Sequence, residues 1–228
     1  MIKHHPTFEL LKLFVSGDLP ASLSAGVAIH AEMCPKCQDQ IAQLTDQVAE
    51  HSFEETYLDR FIVDDADVAN DAMSIDFEAM ADEIMTSNDI TSAEPEIEKN
   101  ITFNNKSYKL PRAIRNMSFG KPANIGKLSR ARIQLDEDEI RTSLLQMQPG
   151  GSVPEHTHKG FELTLLLEGT FHDGYGEYVK GDFIMLDGTH LHNPESTNGC
   201  LCYTVANDAL HFTQGINKLL NPIASFIY

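Results

Sequence analysis

The residues best suited to chemistry fall into two sets. His30, Cys34 and Cys37 form an H-x3-C-x2-C pattern near the start of the chain, and His156, His158, Glu162 and His192 follow far downstream. Thiolates and imidazoles at the first spacing suit a tetrahedral zinc ion. Three neutral imidazoles and a carboxylate suit a borderline cation such as zinc, manganese or iron, with room left for water or a small ligand. The four cysteines occur as two close pairs, Cys34/Cys37 and Cys200/Cys202. In a reducing compartment such pairs are metal ligands or redox-active thiols more often than structural disulfides. Zinc fits the first pair. For the second, reactive thiols and small apolar strand residues are both open readings.

Bringing the first set together requires helices. Residues 7–16 read as one, with Thr7 as N-cap and Gly17 as a stop, and residues 20–33 read as a second. Pro35 is well placed at the start of a third, over about 36–50. His30 and Cys34 then lie at i, i+4 on one face, and Cys37 opens the third helix, so three ligands converge at one corner of a small bundle. Either His4 or His5, just before Pro6, supplies the fourth. Residues 68–86 carry Met73, Phe77, Met80 and Ile84 among acidic residues, the pattern of an amphipathic helix that packs on the bundle or docks on a partner.

After residue 100 the pattern changes to strands, at 101–103, 131–135, 141–147, 162–167, 169–172, 182–186 and 201–206. This spacing predicts an antiparallel jelly-roll barrel. Even offsets place His156, His158 and Glu162 on one face of a hairpin, with glycines permitting the turns. A segment beginning at Gly181 returns His192 to the same interior. The expected fold class is therefore α+β and multidomain: a zinc-binding helical bundle over 1–86, a linker over 87–100 and a β-barrel over 101–228.

The chain has 228 residues and a net charge of −17. Residues 50–99 hold sixteen Asp or Glu against Arg60 and Lys99, which accounts for 14 of those charges. Such a balance disfavours direct nucleic-acid binding, which needs basic residues to displace phosphate counterions, and favours a basic protein partner. The longest apolar runs, such as Leu163 to Leu167, are too short to cross a bilayer, and the N-terminus lacks signal-peptide order. A cytoplasmic protein without membrane contact is expected.

Gly150-x5-His156-x-His158-x3-Glu162-x6-Gly169 and Gly181-x5-Asp187-x-Thr189-x2-His192 resemble the two motifs of the cupin superfamily, with Asp187 and Thr189 where the family usually has proline and glycine. His5…His30-x3-Cys34-x2-Cys37 resembles the zinc-binding anti-sigma domain. With a cupin behind it, the whole chain is similar to the ChrR family of anti-sigma factors. His4-His5, His158-Lys-Gly-Phe-Glu162-Leu-Thr-Leu and Cys200-Leu-Cys202 carry the resemblance locally.

The resemblance implies zinc at His5, His30, Cys34 and Cys37. It implies a second metal at His156, His158, Glu162 and His192, zinc first, with Mn2+, Fe2+ or Ni2+ as alternatives. It also implies that the first domain sequesters an extracytoplasmic-function sigma factor, and that the cupin is required for the response to singlet oxygen or organic peroxide. The competing class is a dioxygenase-like cupin metalloenzyme with an accessory zinc domain. A regulator rather than an enzyme is expected, because the sequence picks out no second set of acid, base or substrate-anchoring residues.

Overall fold

The computed structural model describes residues 1–60, 76–87, 98–158, 160–207 and 211–212. Helix α1 (Phe8–Ser16) begins where Thr7 Oγ1 accepts the Leu10 N–H, and ends where Gly17 turns left-handed at φ 79°. Helix α2 (Ala21–Met33) is apolar on more than one side and buries Leu23, Ala25, Val27, Ile29 and His30. Pro35 opens α3 (Pro35–Arg60), which runs ten residues beyond the expected end at 50 because neither glycine nor proline interrupts residues 36–60. Helix α4 (Phe77–Thr86) covers the second half of the expected 68–86 helix, capped by Asp76 accepting the Ala79 N–H. Met73 lies outside the described residues.

The strands are β1 (Asn100–Phe103), β2 (Lys106–Lys109), β3 (Ala123–Ile125), β4 (Leu128–Ile133), β5 (Arg141–Met147), β6 (Gly151–Ser152) and β7 (His156–Thr157). They continue as β8 (Phe161–His172), β9 (Glu177–Val179), β10 (Phe183–Asp187), β11 (Glu195–Ser196), β12 (Cys200–Ala206) and β13 (His211–Phe212). Nine of them form an antiparallel half-barrel in the order β3-β4-β5-β12-β8-β11-β6, with β9 and β10 also paired to β8. Pairs β1–β2 and β7–β13 stand apart from it.

One expected turn is absent. Segments 162–167 and 169–172 are a single strand, β8, and Gly169 lies opposite Cys200 beside a register shift between Leu201 and Cys202. Its φ of 81° and a Cβ position only 2.1 Å from the Gly199 oxygen require glycine for a bulge rather than for a turn.

Contacts divide the chain into one unit of Met1–Asp46 with Lys99–Tyr228 and another of Gln47–Glu98. In the first unit, helices and sheet share a core: Leu11, Leu23, Val27 and Ile29 pack with Leu144, Leu163, Leu165, Tyr203 and Val205. Tyr203 donates its hydroxyl to the Ser22 carbonyl at 2.7 Å. The opposite face of the sheet gathers Met147, Leu166, Ile184, Cys200 and Cys202 around Phe171 and Tyr178.

Helix α2 lies close on the sheet at Gly26, where an added Cβ would lie 2.7 Å from Leu163 Cδ2. Gly26→Ala should overpack this contact and lower stability by about 1–3 kcal/mol. Thermal unfolding of the full chain checks it, and an unchanged midpoint would show that α2 does not bear on the sheet.

Candidate metal centres

The N-terminal cluster takes one residue from the leading segment, one from α2 and two from the α2–α3 junction. Donor atoms of His5, His30, Cys34 and Cys37 all lie within 4.8 Å of one another. His30 Nε2 is 3.2 Å from Cys37 Sγ, and His5 Nδ1 is 3.4 Å from both His30 Nε2 and Cys34 Sγ. The choice that the sequence left open between His4 and His5 has a geometric answer here. His5 joins the cluster, whereas the His4 ring lies against Tyr178, tilted, with centroids 5.1 Å apart.

The sheet supplies what orients this cluster. His30 Nδ1 lies 2.8 Å from the Gly181 carbonyl, which can only accept, so the ring proton sits on Nδ1 and the Nε2 lone pair faces the thiols. Asp182 is fully buried, and its Oδ1 accepts the N–H groups of Lys3 (2.6 Å) and His4 (3.0 Å). Its Oδ2 accepts the Val179 N–H at 2.8 Å. Phe183 then donates its N–H to the His4 carbonyl at 3.0 Å. Burial lowers the pKa of both His5 and His30, which keeps the imidazoles neutral, the form that binds metal. Burial and then Cys34 push the Cys37 thiol up to about 12. The donor set thus fits a cation such as zinc, whose charge offsets the cost of ionising two buried thiols.

The second cluster closes around β7, β8 and the loop after β10. Donor atoms of His156, His158, Glu162 and His192 also lie within 4.8 Å of one another, and all four residues are buried. His156 and His192 exchange both backbone hydrogen bonds, at 3.0 and 3.1 Å, which holds their rings 4.3 Å apart. His156 Nδ1 donates to the Pro154 carbonyl at 2.8 Å, so its Nε2 lone pair faces the cluster. Glu162 Oε2 lies 2.8 Å from His158 Nε2 and 3.3 Å from His192 Nε2.

The unusual Asp187 and Thr189 still make a turn. Asp187 Oδ1 accepts the Thr189 N–H (2.9 Å) and hydroxyl (2.6 Å) and lies 2.8 Å from His190 Nδ1, a side-chain substitute for the backbone turn of proline and glycine.

Sequence reasoning missed two residues. Asp182 escaped because its role is long-range. Asp173 reads as an ordinary turn residue before Gly174, and its Oδ1 does accept the Tyr175 and Gly176 N–H groups, at 2.8 and 3.1 Å. Its Oδ2, however, lies 3.6 Å from His192 Nδ1, on the side away from Glu162. The cavity beside the cluster has a volume of ≈ 40 Å³ and is walled by Leu128, Leu145, Met147, Ile184 and Cys202.

Burial opposes charge on both Glu162 and His192, yet their mutual contact prevails. Glu162 is held well below the usual carboxylate range by His158 and His192. Asp173 and Glu162 push His192 up to about 9. Burial holds His156 down at about 4, so it is neutral at pH 7. A cation entering this cluster must expel the His192 proton. Zinc affinity there should therefore fall about tenfold per pH unit as pH drops from about 8 to about 6, read by competition with a chromophoric chelator. A flat profile would contradict the assignment. At the N-terminal cluster, His5→Ala should lower zinc affinity at least about tenfold while His4→Ala leaves the stoichiometry intact.

Three resemblances accompany this geometry. Residues 128–210 match the family described as the ChrR Cupin-like domain. The chain is 27% identical over 228 residues to the anti-sigma-E factor ChrR of Cereibacter sphaeroides, covering 97% of each chain. Its fold matches the crystal structure of Rhodobacter sphaeroides SigE in complex with the anti-sigma ChrR, with a TM-score of 0.60 and 23% identity, over 90% of this chain and 99% of that one. Residues 128–210 are thus similar to the ChrR cupin-like domain, and the similarity to ChrR extends over nearly the whole chain.

Proposed function

We propose that the protein is an anti-sigma factor rather than an enzyme, and that it sequesters an extracytoplasmic-function sigma factor in the cytoplasm without contacting DNA itself. The observation that carries this reading is the end-to-end similarity to ChrR, together with two four-residue donor clusters assembled in one chain. In this reading, residues 1–86 bind the sigma factor, 87–100 link, and 101–228 sense an oxidative signal such as singlet oxygen or an organic peroxide. Zinc is the metal proposed for His5, His30, Cys34 and Cys37. It is also the first choice for His156, His158, Glu162 and His192, ahead of Mn2+, Fe2+ or Ni2+. When bound, it cross-links chain segments that are too short to hold a core alone.

Two exposed surfaces suit sigma binding. Phe8 and Leu13 on α1 are each nearly half exposed. On α4, Met80, Ile84 and Met85 are exposed between Glu78, Asp82 and Glu83. The apolar anchors of α4, set among acidic residues, would attach to a basic sigma surface, with charge speeding association and apolar contact supplying affinity. Damage at the barrel cluster would reach the other cluster through β10. That strand starts beside Gly181 and Asp182, and its penultimate residue, Leu186, stands opposite Glu162.

Co-expression with the sigma factor encoded beside this gene, followed by pull-down and metal analysis, tests the proposal. The wild type and His156→Ala/His158→Ala should both capture sigma, and Cys34→Ser/Cys37→Ser should not. The barrel variant should also retain sigma under a peroxide dose that frees it from the wild type. Failure of folded, metal-loaded wild type to capture sigma would overturn the reading.

A further inference from the structure

Although the chain carries a net charge of −17, three of its six arginines, Arg130, Arg132 and Arg141, are grouped on adjacent strands. Register shows where they point. Arg130 on β4 is opposite Leu145 on β5, which is opposite Cys202 on β12. Arg132 is opposite Ser143, which is opposite Thr204, and Thr204 is opposite Thr164 on β8. Directly opposed residues share a sheet face. The arginines therefore lie on the face that carries Leu128, Leu145, Thr164, Cys202 and Thr204, all of which line the cavity beside the second metal cluster.

Arg130 Nη1 is buried and has no hydrogen-bond partner among the described residues. A buried guanidinium nitrogen left unpaired costs far more than one that meets an acceptor. The group's other neighbours make this worse: burial first, then Arg132 and Arg141, disfavour its charged form. The charges that disfavour the charged form are Arg132 and Arg141 for Arg130 and Arg141 for Arg132, while Asp136, Glu137 and Asp138 line a surface hollow together with Arg132 and Arg141. The site presents grouped positive charge, with one buried donor unpartnered among the described residues, beside an apolar wall.

We propose that this face binds a small organic carboxylate, with its head on Arg130 and Arg132 and a short aliphatic chain along Leu145 and Leu128 into the cavity. The planar fork of a guanidinium matches a carboxylate, and two arginines suit one better than a compact ammonium would. The chain must be short, because ≈ 40 Å³ of space compares with the roughly 10–15 Å³ that a single water needs. Its far end would face Glu162, His156 and His192, which line the same cavity. The inference is independent of sigma binding.

Calorimetric titration of the full-length, metal-loaded protein with butyrate, n-butanol and inorganic phosphate tests it. Butyrate should bind at least about tenfold more tightly than either of the others, since butanol lacks the charge and phosphate the chain. Arg130→Gln should weaken butyrate binding by about tenfold or more, and Arg130→Lys should weaken it less than Arg130→Gln does. If Arg130→Gln does not fold, Arg132→Gln, at a side chain that is only partly buried, should show the same loss. Equal binding of butyrate by the wild type and these variants would overturn the proposal, as would no detectable butyrate binding or phosphate binding as tight as butyrate.

Discussion

The structure turns on one buried carboxylate. Asp182 has no exposure, and a carboxylate withdrawn from water is tolerable only when its oxygens are satisfied. The three backbone N–H groups that satisfy it come from Lys3, His4 and Val179, so its burial is inseparable from the docking of the chain's first residues. The residues on either side complete the attachment. Gly181 takes the His30 ring proton, and Phe183 pairs with the His4 carbonyl while its ring meets His30 edge-on at 5.8 Å. Three consecutive residues, Gly181 and Asp182 in the β9–β10 turn and Phe183 at the start of β10, thereby set the position of His5 and the orientation of His30.

The same strand has a second duty at its other end. β10 pairs along β8 until Leu186 stands opposite Glu162, and the loop that follows brings His192 onto the backbone of His156. Two donor clusters are thus attached to the two ends of five strand residues, roughly 16 Å of rigid chain. A paired strand with a buried anchor transmits displacement better than a loop, since packed elements move as units. Tyr178 adds a parallel contact: it donates its hydroxyl to Asp173 at 3.3 Å and its ring lies tilted against His4, one residue from the N-terminal cluster.

The residues of the two clusters stood out in the sequence as candidate ligands because metal ligation is a local chemical pattern: few residue types serve, and their spacings follow from helix and strand periods. The helix ends at Thr7, Gly17 and Pro35 were legible for the same reason, being set by backbone chemistry within a turn. What could not be read depends on partners far along the chain. His5 rather than His4 enters the cluster because Asp182, 178 residues from His4, fixes the leading segment. Gly169 has the composition of a turn, but its neighbour across the sheet, Gly199, makes it a bulge. Asp173 and the arginines of β4 and β5 carry no motif, and only strand register shows what they face.

If Asp182 organises the N-terminal cluster as argued, Asp182→Asn should disturb that cluster selectively, because the amide nitrogen cannot accept one of the hydrogen bonds that a carboxylate oxygen accepts. The direct measurement is zinc retention at each cluster in the full-length variant, read by competition with chelators of graded affinity. The expected result is a tenfold to hundredfold loss, roughly, at His5, His30, Cys34 and Cys37, with the cluster at His156, His158, Glu162 and His192 close to wild type. Unchanged retention at the N-terminal cluster would contradict the claim that the sheet holds it in place.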